Sequence, residues 1–344
     1  MTVVLSILGA VVVLGVLIIV HELGHYGVAR ALGFRVDEFA VGFGPRILST
    51  RKNGILYSLR AFPLGGFCRF HGDEQDQRED PTSFNAQKAW KRFLVILAGS
   101  AMNIAFAYIL ATVTLLSFGD YAATVETVNE GSPAEAAGMR PGDVIVSVNG
   151  KRAVFDFSAL GEIQKADPEK GVDIVVKRGG EYVALHPKNL YDEARRKNQI
   201  GITINYENRR SFAVGEALVT AGDFLGYSAR TLLNFFANIF NTPNLQEQVM
   251  GPVGTISVIG EAVRTGWESI FRLTLYLSLN LGIFNLLPFP GLDGARLIFL
   301  LIEIVFKKPV PREKEGLVHL IGLGVLMAFV LYLAIGDVGR LIGG

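Results

Sequence analysis

Long apolar stretches without charge alternate with polar segments along this chain. Residues 3–20 and 93–118 contain no Asp, Glu, Lys or Arg. At about 1.5 Å per helical residue, the first stretch extends over roughly 27 Å, nearly the thickness of a bilayer's hydrocarbon core. It lacks the basic start and the small-residue cleavage site of a signal peptide. Both stretches therefore predict membrane-spanning helices that are retained in the chain.

Two further apolar stretches are weaker candidates for membrane helices. Residues 270–288 include Asn280 and Asn285, which favour a helix that faces protein rather than lipid, and Arg272 lies near one end, where it can snorkel. Residues 317–335 carry no charge apart from His319 at their start, and four basic residues precede them closely. We predict about four transmembrane helices in total.

A fifth apolar stretch, 212–240, is interrupted by Glu216, Asp223 and Arg230. Charges at this spacing favour an amphipathic helix that lies at the membrane surface. We therefore predict an interfacial helix rather than a fifth crossing.

The polar segment between the second and third spans has the pattern of a small α/β domain. Within 130–150, a turn and a short Ala-rich helix precede an alternating strand that ends at Asn149-Gly150, a hairpin signal. Strands at 172–177 and 182–186 follow, joined by a second hairpin turn. This order resembles a bacterial PDZ domain, which implies binding of a peptide at a sheet edge.

The segment after the first span contains a second β-structure. Residues 39–45 and 55–62 have the composition of strands, and Asn53-Gly54 between them is typical of a tight hairpin turn. We predict a short membrane-associated sheet that presents an edge to an extended substrate.

Composition supports a membrane protein that carries a soluble insert. Half of the 344 residues are hydrophobic and 19% are charged. The net charge of +1 gives no indication of a nucleic-acid partner. Cys68 is the single cysteine, which excludes an internal disulfide and a cysteine zinc site. Lys and Arg are frequent in 26–92 and 295–316, which predicts that these segments are cytoplasmic.

The motif HELGH, residues 21–25, directly follows the first apolar stretch. Positions four apart share one face of a helix, so His21 and His25 can bind one tetrahedral zinc ion. Glu22 lies one step round the helix, where it can take a proton from the attacking water.

A catalytic zinc usually keeps three protein ligands, so one is missing. Asp293 lies in NLLPFPGLDG (285–294), at the end of the third span. If the chain crosses the membrane at each of the first three spans, this end is on the same side of the membrane as HELGH. A crossing at 212–240 would place it on the opposite side. Glu303 is the alternative ligand. His71, in an acidic loop, and His186, in the insert, are not counted as ligands.

The stretch NLLPFPGLDG is also predicted to bind substrate. Pro288 and Pro290 cannot sustain a regular helix, and Gly291 and Gly294 free the backbone. Irregular backbone at membrane depth must be buried in protein or line a wet cavity. Its amides and carbonyls, with the Asn285 side chain, can hold an extended peptide.

These elements describe a polytopic α-helical membrane protein with about four transmembrane helices, a small α/β PDZ-like insert and a short membrane-associated β-sheet. The predicted parts are a first transmembrane helix with HELGH (1–25), a cytoplasmic-side loop with a β-hairpin (26–92), a second transmembrane helix (93–118), the PDZ-like domain (120–207), an amphipathic interfacial connector (208–268), a third transmembrane segment with the third ligand (269–294), a cytoplasmic loop (295–316) and a fourth transmembrane helix (317–336).

HELGH, the AGSAMN stretch (98–103), GPVG (251–254) and NLLPFPGLDG occur here in the order that resembles the site-2 protease family of intramembrane zinc metalloproteases. The resemblance covers nearly the whole chain and is greatest to the bacterial branch that cleaves membrane-anchored regulators. It implies Zn2+ held by His21, His25 and Asp293, with Glu22 as general base and Asn285 positioning the substrate backbone. Ser100 stands where the family often has Pro, and one PDZ-like domain stands where some members have two.

The resemblance implies regulated intramembrane proteolysis at the bacterial plasma (inner) membrane. Its substrates would be single-pass membrane proteins such as anti-sigma factors, or signal-peptide remnants. The active site would face the cytoplasm, the PDZ-like domain would be extracytoplasmic with a peptide ligand, and lipid would surround the helices. The alternatives are a non-proteolytic PDZ scaffold, a zinc transporter and a membrane-anchored metalloprotease that acts on soluble peptides.

Overall fold

A computed structural model describes residues 2–73, 80–153, 159–188, 191–192, 197–206, 209–241 and 249–343. Its helices are α1 Thr2–Ala31, α2 Ala89–Phe118, α3 Pro133–Ala136, α4 Ala159–Lys165, α5 Val214–Ala237, α6 Pro252–Thr265, α7 Trp267–Leu286, α8 Asp293–Phe306 and α9 Arg312–Gly343. Its strands are β1 Val36–Lys52, β2 Ile55–Phe70, β3 Asp120–Tyr121, β4 Ala123–Val128, β5 Val144–Val148, β6 Lys151–Arg152, β7 Ile174–Arg178, β8 Glu181–Leu185, β9 Tyr191–Asp192, β10 Lys197–Asn198, β11 Ile202–Asn205 and β12 Arg209–Arg210.

Among the described residues, four helices are long and apolar enough to cross a membrane: Val4–Ala31, Ala89–Phe118, Trp267–Leu286 and Glu313–Arg340. They correspond to the four predicted spans. The fifth apolar stretch forms α5, which buries Ala217, Ala221 and Phe224 and exposes Val214 and Val219.

The first helix is longer than predicted and carries HELGH within it rather than at its end. No residue breaks the helix before Gly33, whose positive φ of 84° ends it. The amide of Gly33 then donates to the Arg30 carbonyl, and that of Phe34 to the Ala29 carbonyl. Both histidines therefore lie on rigid helix.

The chain forms two compact units, Met1–Leu110 with Thr231–Gly344, and Ala111–Arg230. In the first unit, β1 and β2 are longer than predicted and fold back on themselves. Phe39 pairs with both Tyr57 and Cys68, so the sheet has four segments in the order 46–52, 55–60, 38–41 and 66–70. Asn53 and Gly54 both have positive φ, which confirms the predicted turn.

A buried carboxylate joins the middle segments of this sheet. Glu38 accepts hydrogen bonds from Ser58 Oγ and Arg60 Nη2, each over 2.7 Å. Burial alone would raise the pKa of Glu38, but these hydrogen bonds and the Arg60 charge lower it. The carboxylate therefore stays ionised within the sheet.

The segment 295–316, predicted as a loop, is mostly helical. The stretch from Asp293 to Phe306 forms α8, whose apolar side chains recur at helical spacing. With 14 residues, this helix is too short to span a membrane. Leu297 and Leu300 of α8 pack in one core with Phe34, Phe84 and Val95. This core joins α8 to α1, α2 and the sheet.

The second unit contains a sheet with the strand order β11-β4-β5-β7-β8, and β6 pairs with β5. Its core includes Val125, Ile145, Ile174 and Val176. Both predicted hairpins are present, since β5 pairs with β6 and β7 pairs with β8. The insert is thus a small α/β unit, as predicted.

Candidate metal centre

Three side chains converge at the point where α1 meets the start of α8. The Nε2 atoms of His21 and His25 each lie 3.2 Å from Asp293 Oδ2, and 3.2 Å from one another. Asp293 Oδ2 is buried and has no hydrogen-bond partner among the described residues. Three donor atoms therefore form a nearly equilateral triangle.

This triangle fits a zinc ion. With bonds of about 2.0 to 2.1 Å, two ligands of tetrahedral zinc lie roughly 3.3 to 3.4 Å apart, close to the observed separation. In the described part of the chain, His21, His25 and Asp293 form the one group of three or more His, Cys, Asp or Glu residues suited to a metal. The donor set of two imidazoles and one carboxylate is typical of catalytic zinc.

Two glycines let α2 approach the histidines closely. A Cβ at Gly99 would lie 2.3 Å from His25 Nε2 and 2.9 Å from His21 Cε1. A Cβ at Gly24 would lie 2.3 Å from the Ala98 carbonyl oxygen on α2. The small residues therefore shape the metal centre itself.

Each histidine has a partner on its second ring nitrogen. His25 Nδ1 lies 2.8 Å from the Val95 carbonyl oxygen, and His21 Nδ1 lies 3.3 Å from the Asn103 amide. Both partners belong to α2. Such contacts fix the orientation of metal-binding imidazoles.

Glu22 lies beside the outer segment of the sheet and is 8% exposed. Its carboxylate accepts a hydrogen bond from the Cys68 backbone N–H. A Cβ at Gly66 would come within 3.1 Å of Glu22 Cγ. Burial and the nearby Glu22 charge raise the pKa of the Cys68 thiol, so that thiol stays neutral.

The bend before Asp293 is fixed on both sides. Leu287 precedes Pro288 and adopts extended backbone, which ends α7. A Cβ at Gly294 would lie 2.1 Å from the Leu287 carbonyl oxygen, so α8 begins directly against the end of α7. On the other side, the Gly291 N–H donates to His319 Nδ1 of α9 over 3.0 Å.

The alternative ligand Glu303 lies three turns along α8, where it pairs with Arg92 of α2 at 2.5 Å. Arg296 on the same helix pairs with Asp73 at 2.8 Å. Glu303 is outside the group that could hold a metal. The geometry therefore brings Asp293, and not Glu303, to the two histidines.

Asn285 lies partly buried in the last turn of α7. His71 lies away from the metal centre and contacts Asp37 and Asp80. His186 contacts Asp173 in the second unit. Neither histidine belongs to the group that could hold a metal.

Sequence reasoning missed the roles of Gly99, Asn103, Arg92 and His319. Asn103 gave the clearest signal, since it is a polar residue inside an uncharged span. The roles of Gly99 and Arg92 follow only from the packing of α2 against α1 and α8.

Comparison with known proteins identifies the family. The sequence model of peptidase family M50 matches residues 9–329. A protein of Nostoc sp. named as a zinc metalloprotease is 34% identical over 347 aligned positions, which cover 94% of each chain. The regulator of sigma-W protease RasP of Bacillus subtilis is 28% identical over 420 positions, covering 98% of this chain and 99% of the relative.

A plant protein is also similar. The chloroplastic membrane metalloprotease ARASP of Arabidopsis thaliana is 32% identical over 350 positions, covering 96% of this chain and 78% of the relative. The chain therefore belongs to peptidase family M50, the site-2 protease family, and is a zinc metalloprotease.

Proposed function

We propose that this protein hydrolyses peptide bonds in the membrane-embedded segments of single-pass membrane proteins. The observation that carries the proposal is the location of the triad. His21 and His25 lie inside a helix long and apolar enough to span a bilayer, and Asp293 follows the end of another. A charged side chain at the centre of a membrane helix costs roughly 2.5 to 3.5 kcal/mol, so ionisable residues inside a span are by default candidates for function.

In the proposed mechanism, His21, His25 and Asp293 bind Zn2+ and Glu22 is the general base. Bound zinc polarises the scissile carbonyl and activates the attacking water. Glu22 takes the proton of that water and later passes it to the leaving amine. The hydrogen bond from the Cys68 N–H orients the Glu22 carboxylate for this transfer.

The substrate must be extended where it is cut, because the carbonyls of an intact helix are already hydrogen-bonded. The outer sheet segment, 66–70, has one paired neighbour among the described residues and lies next to Glu22. We propose that the unwound substrate adds to this edge as a strand. Asn285, partly buried in the last turn of α7, binds the substrate backbone from that helix. Residues that weaken a helix should favour cleavage when present in the substrate.

The proposed biological role is regulated intramembrane proteolysis, with anti-sigma factors or signal-peptide remnants as substrates. One relative is named as a regulator of sigma-W protease, which supports the first class. The predicted crossings of the plasma membrane support an active site on its cytoplasmic side and a PDZ-like unit on its extracytoplasmic side. That unit would admit only substrates whose outer domain has been trimmed.

Two alternatives make different predictions. A non-proteolytic scaffold is disfavoured because Glu22 is retained between the two histidines. A membrane-anchored protease for soluble peptides would have the same site but a different access route. An assay that presents the same peptide bond in a transmembrane segment and in a soluble peptide separates it from an intramembrane protease.

The test uses the purified full chain in proteoliposomes with a transmembrane substrate, and the same cleavage sequence as a soluble peptide. Wild-type protein should cleave the embedded substrate and leave the soluble peptide largely intact. Glu22→Gln should retain zinc and lose about 10²- to 10⁴-fold in rate. Equal cleavage by both proteins would contradict the mechanism, and faster cleavage of the soluble peptide would contradict the intramembrane role.

A further inference from the structure

Each histidine of the metal centre needs an acceptor for its second ring nitrogen. The Nε2 atoms of both histidines face Asp293 Oδ2. An imidazole that ligates through Nε2 carries its hydrogen on Nδ1 and donates it to a carboxylate, a carbonyl or water. For His25 that acceptor is the Val95 carbonyl oxygen, 2.8 Å from Nδ1.

His21 faces the side-chain amide of Asn103 instead. Asn103 Nδ2 lies 3.3 Å from His21 Nδ1. Asn103 is fully buried, and its Oδ1 has no hydrogen-bond partner among the described residues. An amide N–H cannot bond to an imidazole N–H, whereas a half-turn of the amide presents its oxygen to His21.

We propose that Asn103 is a positioning residue whose Oδ1 accepts the Nδ1–H of His21 and thereby holds the Nε2 lone pair toward the zinc. This inference rests on the proposed ligand set, in which His21 binds through Nε2.

The helix that leads to the third ligand also holds Asn103 in place. Ser278 Oγ on α7 donates to the Asn103 backbone carbonyl over 2.8 Å. One turn further on, a Cβ at Gly282 would lie 3.0 Å from the Ser100 carbonyl oxygen, so α7 and α2 are in close contact. Since α7 continues into the bend before Asp293, it positions both the third ligand and the acceptor for His21.

Zinc affinity of the full chain, measured by competition with a chromophoric chelator, tests the proposal without an activity assay. Asn103→Leu keeps the approximate size and removes the acceptor, so affinity should fall about 10- to 100-fold. Asn103→Asp can accept but cannot donate, so its affinity should stay close to that of the wild type. Thr112→Val removes another buried hydrogen-bonding group from α2 and should leave zinc affinity unchanged.

Wild-type affinity in Asn103→Leu would overturn the proposal, as would an equal loss in Asn103→Asp and Asn103→Leu. His21→Ala in the same titration tests the proposed ligand set separately from the role of Asn103. If that variant binds zinc as tightly as the wild type, the ligand set itself is wrong, whatever the variants at position 103 do.

A second measurement needs no substitution. In a ¹⁵N–¹H correlation spectrum of zinc-loaded protein with labelled histidine, His21 should carry its hydrogen on Nδ1. A hydrogen on Nε2 of His21 would overturn the acceptor role of Asn103.

Discussion

Gly99 lies so close to His25 that a Cβ at position 99 would be 2.3 Å from the imidazole Nε2. Real Cβ atoms do not approach other heavy atoms this closely, and the same Cβ would lie 2.9 Å from His21 Cε1. Because Gly99 of α2 has no side chain, it leaves room for both imidazoles, although α1 carries both ligands.

Gly99→Ala should abolish tight zinc binding, because its methyl group displaces the metal-binding nitrogen of His25. We expect a loss of affinity of at least the 10- to 100-fold seen when a supporting contact is removed. Gly27→Ala on α1 is the matched control, because its Cβ would meet no atom within 4 Å. Chelator competition on both variants checks this, and wild-type affinity in Gly99→Ala would refute the observed packing.

Asp293→Ala and Glu303→Ala should have different effects. The first should lose zinc, because it removes one corner of the triangle. The second should keep zinc but lose about 3 kcal/mol of stability, because it leaves Arg92, which is 4% exposed, without its carboxylate partner.

Metal analysis and thermal unfolding distinguish these outcomes. Replacing both Arg92 and Glu303 with Met should recover most of the stability, since no unpaired charge then remains buried. Zinc loss in Glu303→Ala with retention in Asp293→Ala would reverse the ligand assignment.

The sequence predicted the parts of the site that depend on local spacing. His21 and His25 are four residues apart on one helix, and the number of crossings predicts Asp293 on the same side of the membrane. The Asn53-Gly54 turn was also predictable, because both residues readily adopt positive φ.

The remaining features depend on contacts between distant parts of the chain. Arg92 and Glu303 are 211 positions apart, and no local pattern pairs them. The segment 295–316, rich in Lys and Arg between two spans, is predicted as a loop, whereas its residues up to Phe306 belong to α8. Gly99 had the signature of a small helix-packing residue, and only the packed structure shows that it lies against an imidazole.

His71 should make stability depend on pH. Hydrogen bonds to Asp37 and Asp80 raise the pKa of His71 above its ordinary value of 6.5. Because the folded-state pKa is raised, the interaction stabilises fully below about pH 6.5 and is lost as pH rises through the folded-state value.

The melting temperature of the wild type minus that of His71→Gln measures this contribution. The difference should be largest near pH 6 and should shrink toward about pH 9. A difference that stays constant, or grows with pH, would show that these two contacts do not stabilise the charged imidazole.

Arg178→Leu should weaken the α/β unit while leaving the metal centre intact. Arg178 Nε and Nη2 each lie 2.7 Å from an oxygen of Asp143, which is 1% exposed, so the substitution leaves a buried carboxylate without its cation. The expected cost is about 3 kcal/mol, whereas Lys177→Met at the neighbouring exposed position should cost little.

If the α/β unit is a size filter that admits only trimmed substrates, Arg178→Leu should raise the cleavage rate of untrimmed relative to trimmed substrate, with zinc content unchanged. Initial rates on both substrates measure this ratio, and a ratio equal to that of Lys177→Met, despite a destabilised unit, would exclude the filter.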